Sequence, residues 1–209
     1  MHERWCALTM PLTKRQAYRA CEWMKTNFGP RIEVAVRGTP FTIDLLCGIA
    51  CQETAVFWLS FLQRLTPDEI VARCVLDASG DYPGTRRSAF PRNTAAFRAR
   101  FGDQFTDLLI EEANVTRRLR GFSAARWVYK GYGIYQYDLQ HVVSDAEFFR
   151  QRQWYSYDTC LDRALRELRA KYQIHRDLWR AVRAYNGSGP RATEYANNVM
   201  QFTAYSSEI

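Results

Sequence analysis

The segment that decides the fold runs from Pro40 to Phe57 and reads PFTIDLLCGIACQETAVF. It is apolar on most faces of a helix, which predicts a central, buried helix. On that helix Glu53 shares a face with Leu46 and Ile49, so we expect its carboxyl to project from the apolar side. Burial disfavours a carboxylate anion and raises its pKa, and a carboxyl that stays protonated can donate a proton. The alternative is a glutamate at a helix end with its head in water.

The rest of the chain also has mainly helical periodicity. A Gly29–Pro30 pair predicts the end of the first helix, and Ser144 with Glu147 forms a capping box that predicts the start of a later one. The segment from Asp77 to Asn93, DASGDYPGTRRSAFPRN, is the one clear loop, with at most a small hairpin near it. The predicted helices cover about residues 13–28, 40–57, 66–76, 105–119, 161–172, 178–185 and 191–202. The sequence therefore predicts one mainly α domain over residues 1–209.

Composition limits the class of protein. The chain has 209 residues, of which 47% are hydrophobic, and a core of this size needs neither a disulfide nor a metal. Six cysteines without a CxxC pair and only three histidines argue against a zinc site, and we expect no metal and no cofactor. Cys47 and Cys51 are one helical turn apart, where a disulfide would strain the helix, so buried free thiols are expected.

Charge and hydropathy limit the partners. The net charge of +7 favours polyanions, which include nucleic acid, anionic membrane and bacterial cell wall. The arginines are scattered and form no long basic tract, so we do not expect a nucleic-acid partner. No stretch approaches the roughly 20 apolar residues of a membrane span. The N-terminal stretch MHERWCALTMPLTKRQ has no apolar run that would predict a signal peptide.

Two further segments carry residues suited to carbohydrate. Residues 130–138, KGYGIYQYD, combine glycines that allow a ligand close to the backbone with tyrosines and a glutamine that can bond sugar hydroxyls. Residues 184–189, AYNGSG, end an apolar helix, and Tyr195 follows on the next one. A tight turn between helices and an ordinary helix stop are the simpler interpretations of these two segments.

The three segments, in this order, resemble the catalytic domain of soluble lytic transglycosylases and goose-type lysozymes, within the lysozyme-like superfamily. Glu53-Thr54 stands where that family typically has Glu-Ser, and Gly133-Ile134-Tyr135-Gln136 stands where it has Gly-Leu-Met-Gln. Ala184-Tyr185-Asn186 matches the third motif, and Tyr195 falls where the family usually has a tyrosine. The resemblance spans about Asp44 to Val199, and it is carried by these motifs and not by continuous similarity.

The resemblance implies a lysozyme-like single domain in which the central buried helix carries Glu53. The stretch from Glu53 to Gln136 is longer than the family usually allows, which predicts an enlarged insertion lobe at about residues 77–121. Tyr135 is bulky where the family prefers methionine, which puts the shape of the sugar subsites in doubt.

The resemblance also implies an activity, namely cleavage of the MurNAc–GlcNAc bond of peptidoglycan with Glu53 as general acid and then base. Tyr185 would orient Glu53 or the intermediate, and Asn186 would contact the substrate or support that geometry. The substrate-binding residues that it implies are Thr54, Gly133, Tyr135, Gln136, Tyr185, Asn186 and Tyr195. We expect such a protein to be made in the cytoplasm and to act at the cell wall or periplasm after non-Sec delivery. The sequence identifies no delivery or immunity protein.

Two reaction types fit this site. An inverting hydrolase needs a second carboxylate about 6.5 to 9.5 Å from the acid. Asp138 is placed like one acidic residue of goose-type lysozymes, and Asp77 and Asp81 are the other candidates, although aspartates in glycine-rich loops more often form turns. A lytic transglycosylase needs no second carboxylate, because its glutamate also deprotonates the muramoyl C6 hydroxyl, which closes an anhydro ring. The presence of Asp138 slightly favours hydrolysis.

Three alternatives stay open. A degenerate domain of this kind could grip glycan without cutting it, and a related enzyme could cleave chitin or chitosan. A helical nucleic-acid-binding protein is supported by the charge alone. Phage lysis, antibacterial action and wall remodelling would all use the same catalytic site.

Overall fold

The computed structural model describes residues 10–209. Residues 1–9 lie outside this range, and with them Cys6 and most of the N-terminal stretch in which we expect no signal peptide. The described chain is mainly helical, as predicted, and contains a small sheet. Among these described helices, none combines the length and the apolar character that crossing a bilayer requires.

The chain divides into two compact units. The first contains the described residues up to Phe61 together with Leu161–Ile209, and the second contains Leu62–Cys160. The segment predicted to form an insertion, at about residues 77–121, lies within the second unit.

The first unit is built from helices. In chain order they are α1 (Lys14–Val36), α2 (Ile43–Ala50), a π-helix (Cys51–Ala55), α3 (Val56–Trp58), the part of α8 (Tyr157–His175) from Leu161 onward, α9 (Leu178–Asn186) and α10 (Pro190–Ser206). α2 packs against α1 and α10, and the six residues from Leu45 to Ala50 are all buried. Gly48 permits the close approach of α10, because a Cβ there would lie 2.6 Å from Thr203 Oγ1 and 2.8 Å from the Val199 carbonyl oxygen.

The first helix is longer than predicted. The Gly29–Pro30 pair predicts its end, and this prediction is wrong, since α1 continues to Val36 with the proline inside it. Proline removes one backbone hydrogen bond, because it has no N–H. The helix continues because Ile32 and Val36 extend the buried row of Met24 and Phe28 at a spacing of four residues. Two more apolar side chains are thereby removed from water, which offsets the lost bond.

Of the segment predicted as one helix, Pro40 to Phe57, the residues from Ile43 onward are helical, but they do not form one regular α-helix. Thr42 caps its start by accepting a hydrogen bond of 3.1 Å from the Leu45 N–H. After Ala50 the backbone changes to a π-helix, and it returns to α-helix at Val56. π-helical turns within α-helices are rare and are frequent at functional sites. Apolar spacing carries no signal for such a turn.

The second unit combines helices with a three-stranded antiparallel sheet. Its elements are α4 (Pro67–Arg73), β1 (Val75–Ala78), α5 (Thr94–Phe101), α6 (Asp103–Leu119), β2 (Tyr129–Tyr132), β3 (Tyr137–Asp138), a first 3-10 helix (Leu139–Val143), α7 (Ala146–Arg150), a second 3-10 helix (Gln153–Tyr155) and the first residues of α8. β1 pairs with β2, with Val75 opposite Tyr132 and Ala78 opposite Tyr129. β2 and β3 form the hairpin. The first two residues of the predicted Asp77–Asn93 loop belong to β1, and the hairpin is formed by β2 and β3 and not by this loop.

The start of α4 was predictable and its end was not. Thr66 and Glu69 form a capping box, in which each side chain accepts a hydrogen bond from the other residue's backbone N–H. The helix ends at Arg73 and not near Leu76, because the next residues pair with β2. Apolar residues of this short run suit a strand as well as a helix, so periodicity alone does not separate the two.

The capping box predicted from Ser144 and Glu147 is absent, and that prediction is wrong. α7 begins after Asp145, for which no side-chain cap is formed. The Ser144 hydroxyl instead donates to the His141 carbonyl at 3.2 Å and closes the first 3-10 helix. A short hydroxyl side chain can bond the preceding turn as readily as the following one.

A buried carboxylate ties the helices of the second unit together. Glu112 on α6 accepts hydrogen bonds from Arg152 Nε at 2.6 Å and from Tyr155 Oη at 2.7 Å. Arg73 Nη1 lies 3.3 Å from its second oxygen. A buried charge is tolerated when it is paired in this way. α6, α4 and the second 3-10 helix are thus fixed to one another by one side chain.

Candidate active site

Glu53 lies in the π-helix of the first unit and is half-buried. Ile49 and Ala50, which the periodicity places on its face, are fully buried in α2. Its neighbour Thr54 is also buried, and the Thr54 hydroxyl donates to the Ala50 carbonyl at 3.3 Å and accepts from Trp58 Nε1 at 3.0 Å. Thr54 is predicted to bind substrate, but its contacts support the helix that carries Glu53.

Tyr195 on α10 is a partner of Glu53. Its hydroxyl donates a hydrogen bond of 2.6 Å to Glu53 Oε1, and the residue is only 5% exposed. Burial first, and then the negative charge of Glu53, raise the pKa of Tyr195 well above its usual value. The hydroxyl therefore stays a neutral donor around neutral pH. It restricts the orientation of the Glu53 carboxyl.

Tyr185 on α9 lies against Tyr195. Their rings are stacked, with centroids 6.5 Å apart and planes inclined by 23°. α9 ends at Asn186, as predicted, Gly187 follows with φ 129°, and Pro190 begins α10. This short connection brings the two tyrosines together. The resemblance implies an orienting role for Tyr185; in the structure the Tyr195 hydroxyl bonds the Glu53 carboxyl, and Asn186 is exposed at the helix end.

The Gly133–Gln136 segment is the turn of the β2–β3 hairpin, and the simpler alternative of a turn between helices is wrong. Gly133 and Gln136 have left-handed backbones, with φ of 76° and 54°. The Gln136 amide donates to the Cys74 carbonyl at 3.0 Å and to the Gly133 carbonyl at 2.9 Å. A Cβ at Gly131 would lie 2.1 Å from Gln136 Oε1, so that glycine makes room for the amide. These contacts serve the turn, and none of them supports the predicted sugar contacts.

Tyr135 fills the core of the second unit. It is buried, and its hydroxyl lies 2.8 Å from the hydroxyl of Tyr157. Gly133 also lies in tightly packed surroundings, because a Cβ at this position would lie 2.4 Å from Cys160 Sγ. The bulky residue at the family's methionine position therefore packs inside the unit and does not offer a ring face to a sugar.

Asp138 is engaged by the loop of the second unit. Arg87 holds its carboxylate with both terminal nitrogens, at 2.5 and 3.0 Å. The same carboxylate caps the first 3-10 helix by accepting from the Gln140 N–H at 2.7 Å. A carboxylate held by a guanidinium fork and a backbone donor is well placed to fix the loop. It is poorly placed to activate water, the role predicted for it.

The other two aspartates of the loop also have structural contacts. Asp81 accepts hydrogen bonds from the Thr94 N–H and hydroxyl, both at 2.8 Å, and from the Ser79 hydroxyl. Asp77, with φ 62°, lies 3.4 Å from Lys130 Nζ. The preference of aspartate for turns accounts for Asp81, whereas Asp77 lies within β1 and not in a turn.

The structure thus brings together Glu53, Tyr185 and Tyr195 in the first unit. The residues of the second motif and Asp138 belong to the second unit, where Gln136 bonds the hairpin turn and Asp138 bonds Arg87. Sequence reasoning missed Arg87, because a loop arginine gives no sign of its partner 51 positions later. It also missed the support of Trp58 for Thr54, although the spacing of four residues on a helix could have indicated it.

Residues 10–209, the part of the chain that the structure describes, contain no cluster of histidine, cysteine and acidic side chains that could hold a metal ion. The chain matches no family model, no curated protein and no solved structure. A functional interpretation therefore depends on the geometry of the site and on the motifs themselves.

Proposed function

We propose that the chain is a glycosidase that cleaves the glycan strands of peptidoglycan, with Glu53 as general acid and then base. One observation carries this proposal, the hydrogen bond of 2.6 Å between Tyr195 Oη and Glu53 Oε1. It joins residues 142 positions apart that belong to the first and third motifs. Independent motifs that converge on one carboxyl are what a catalytic site requires.

The contacts around Glu53 suit an acid that must be held in place. A general acid acts within hydrogen-bond reach of the leaving oxygen, so its orientation matters as much as its pKa. Tyr195 holds one carboxylate oxygen, and the stacked ring of Tyr185 limits the movement of Tyr195. The π-helix interrupts the regular spacing at Glu53, a distortion that is typical of functional positions.

Within this proposal we favour the reaction that needs one carboxylate. Glu53 gives its proton to the leaving glycosidic oxygen, and the resulting carboxylate takes the proton of the muramoyl C6 hydroxyl. That oxygen attacks the anomeric carbon, and an anhydro ring forms. The contacts of Asp138 with Arg87 support this choice over hydrolysis, because they occupy the carboxylate that hydrolysis would use.

The proposal includes a lysozyme-like arrangement of the first unit and a position of action at the cell wall or periplasm. A second candidate is a module that binds glycan without cutting it, which the contacts of Asp138 with Arg87 favour over a hydrolase that needs that carboxylate. In that case the Tyr195–Glu53 bond would only support the fold.

The test is the turbidity of a suspension of purified peptidoglycan, measured with the wild-type chain and with Glu53→Gln. The amide cannot donate an acid proton, so we expect a loss of at least about 100-fold in rate. Glu22→Gln is the matched control, because Glu22 is exposed on α1. Circular dichroism checks that both variants fold. Wild-type rates in a folded Glu53→Gln variant would remove the catalytic assignment.

A further inference from the structure

Two thiols of the first unit are in contact beside the proposed catalytic helix. The five described cysteines are buried and none of them is in a disulfide, as predicted for Cys47 and Cys51. Cys21 on α1 and Cys51, the first residue of the π-helix, are 30 positions apart, and their sulfurs lie 3.5 Å apart. A disulfide requires about 2.05 Å between sulfurs, so a small movement of the two side chains would close the gap.

The surroundings of Cys21 favour its thiolate. A hydrogen bond from Cys51 lowers the pKa of Cys21 and outweighs burial, which raises it; Ser206 and Lys25 make smaller contributions that also lower it. Lys25, one turn further along α1, lies 2.8 Å from Asp44, which also accepts from the Ser206 hydroxyl at 2.7 Å. The thiolate is the nucleophilic form of cysteine, so Cys21 is the reactive member of the pair.

The pKa values of the neighbouring thiols, Cys51 and Cys47, are raised and not lowered. The contact with Cys21, together with burial, raises the pKa of Cys51. Burial raises the pKa of Cys47 to about 12. Cys47 and Cys51 share one helical segment, where the geometry opposes a bridge between them. Cys51 therefore serves as the thiol that resolves an oxidised Cys21.

We propose that Cys21 and Cys51 form a disulfide when a peroxide reaches them, and that this bond fastens α1 to the π-helix that carries Glu53. The Cys21 thiolate attacks one oxygen of hydrogen peroxide, the O–O bond breaks, and a sulfenic acid forms. The hydroxide released takes the proton that the thiol lost. The Cys51 sulfur then attacks the Cys21 sulfur, and the sulfenic oxygen leaves as water with the Cys51 proton. Two thiols and one peroxide give one disulfide and two waters. Peroxide is small enough to enter through local opening of the buried site.

The test uses the full chain, reduced and then treated with hydrogen peroxide. Free thiols are blocked under denaturing conditions, and the digest is examined by mass spectrometry. We expect a peptide pair linked through Cys21 and Cys51 and a fall in free thiols from the six of the sequence to four. Dithiothreitol should restore all six. A chain that keeps six thiols, or in which Cys21 is linked to Cys47, would overturn the proposal.

Cysteine variants test whether the Cys21–Cys51 disulfide forms, and a melting curve tests whether it stabilises the chain. Cys21→Ala and Cys51→Ala should each abolish the linked pair, whereas Cys160→Ala, at a buried cysteine of the second unit, should keep it. The disulfide closes a loop between two residues that are 30 positions apart. This closure should raise the Tm of the oxidised wild-type chain by roughly 5 to 10 °C over that of the reduced chain. An oxidised chain that melts no higher than the reduced one would refute the fastening of α1. No step depends on enzymatic activity, so the result is independent of the proposed function.

Discussion

Tyr195→Phe isolates the contact on which the proposed site depends. The variant keeps the ring that stacks on Tyr185 and removes only the hydroxyl that lies 2.6 Å from Glu53 Oε1. A hydrogen bond to a charged group contributes about 1.5 to 3 kcal/mol. If that contribution positions the acid in the transition state, about 2 kcal/mol corresponds to a roughly 30-fold lower kcat. KM should change little, because Tyr195 is buried and does not need to touch the sugar.

The assay is release of soluble fragments from purified peptidoglycan at several substrate concentrations, so that kcat and KM are separated. Tyr205→Phe is the matched control, since Tyr205 lies on the same helix and its ring contacts Tyr18 and not Tyr195. The control should stay within about twofold of wild type, as expected for a partly exposed surface position. A folded Tyr195→Phe variant with wild-type kcat would refute the positioning role. A fall in Tm alone would show a purely structural contact.

Three further predictions follow from contacts in the second unit and from the buried tyrosines. Asp138→Asn should keep activity within about threefold, as expected for a residue away from the reacting atoms. It should lower the free energy of unfolding by about 1 to 3 kcal/mol, because the ion pair with Arg87 is lost. A large fall in kcat with unchanged stability would instead identify Asp138 as the base. Gly133→Ala should destabilise by about 1 to 3 kcal/mol in a denaturant titration, because its φ is 76° and its Cβ would lie 2.4 Å from Cys160 Sγ; an unchanged midpoint would contradict the crowding. Burial raises the pKa of Tyr132 and of Tyr195, so the stability that these neutral hydroxyls contribute is present below about pH 10 and is lost as the pH rises above it. Tyr132→Phe should make the free energy of unfolding fall less steeply with alkaline pH. It should change that free energy little near neutral pH, because no described residue is a hydrogen-bond partner of the Tyr132 hydroxyl. An equally steep alkaline fall in the variant would rule out Tyr132 as a source.

Helices were predictable where one apolar face is continuous, as in α6, α8, α9 and α10, because burial of that face determines the structure. The prediction failed where tertiary packing outweighed a local signal. Pro30 is a helix breaker, but the burial of Ile32 and Val36 continues α1 beyond it. The strand β1 was not predicted, because its partner β2 lies about fifty residues later and a run of four residues has no distinctive period.

At the candidate site, too, the sequence identified residues but not their contacts. Glu53, Tyr185 and Tyr195 were identified from motif order, but no sequence feature gives the distance between side chains 142 positions apart. Gly133 and Gln136 were expected to contact sugar because glycine and glutamine suit that role. In the structure both residues lie in the hairpin turn, where the backbone is left-handed and the packing is close. Glycine suits such a turn as well as it suits a sugar site, so the residue type alone does not separate the two roles.

Whether Glu53 breaks glycosidic bonds can be read from the products of the reaction. Purified peptidoglycan is incubated with the wild-type chain or with Glu53→Gln, and the soluble fragments are analysed by mass spectrometry. We expect fragments with anhydromuramoyl ends from the wild-type chain and none above background from the variant. Intact glycan strands with the folded wild-type chain, or the same fragments from both proteins, would contradict it.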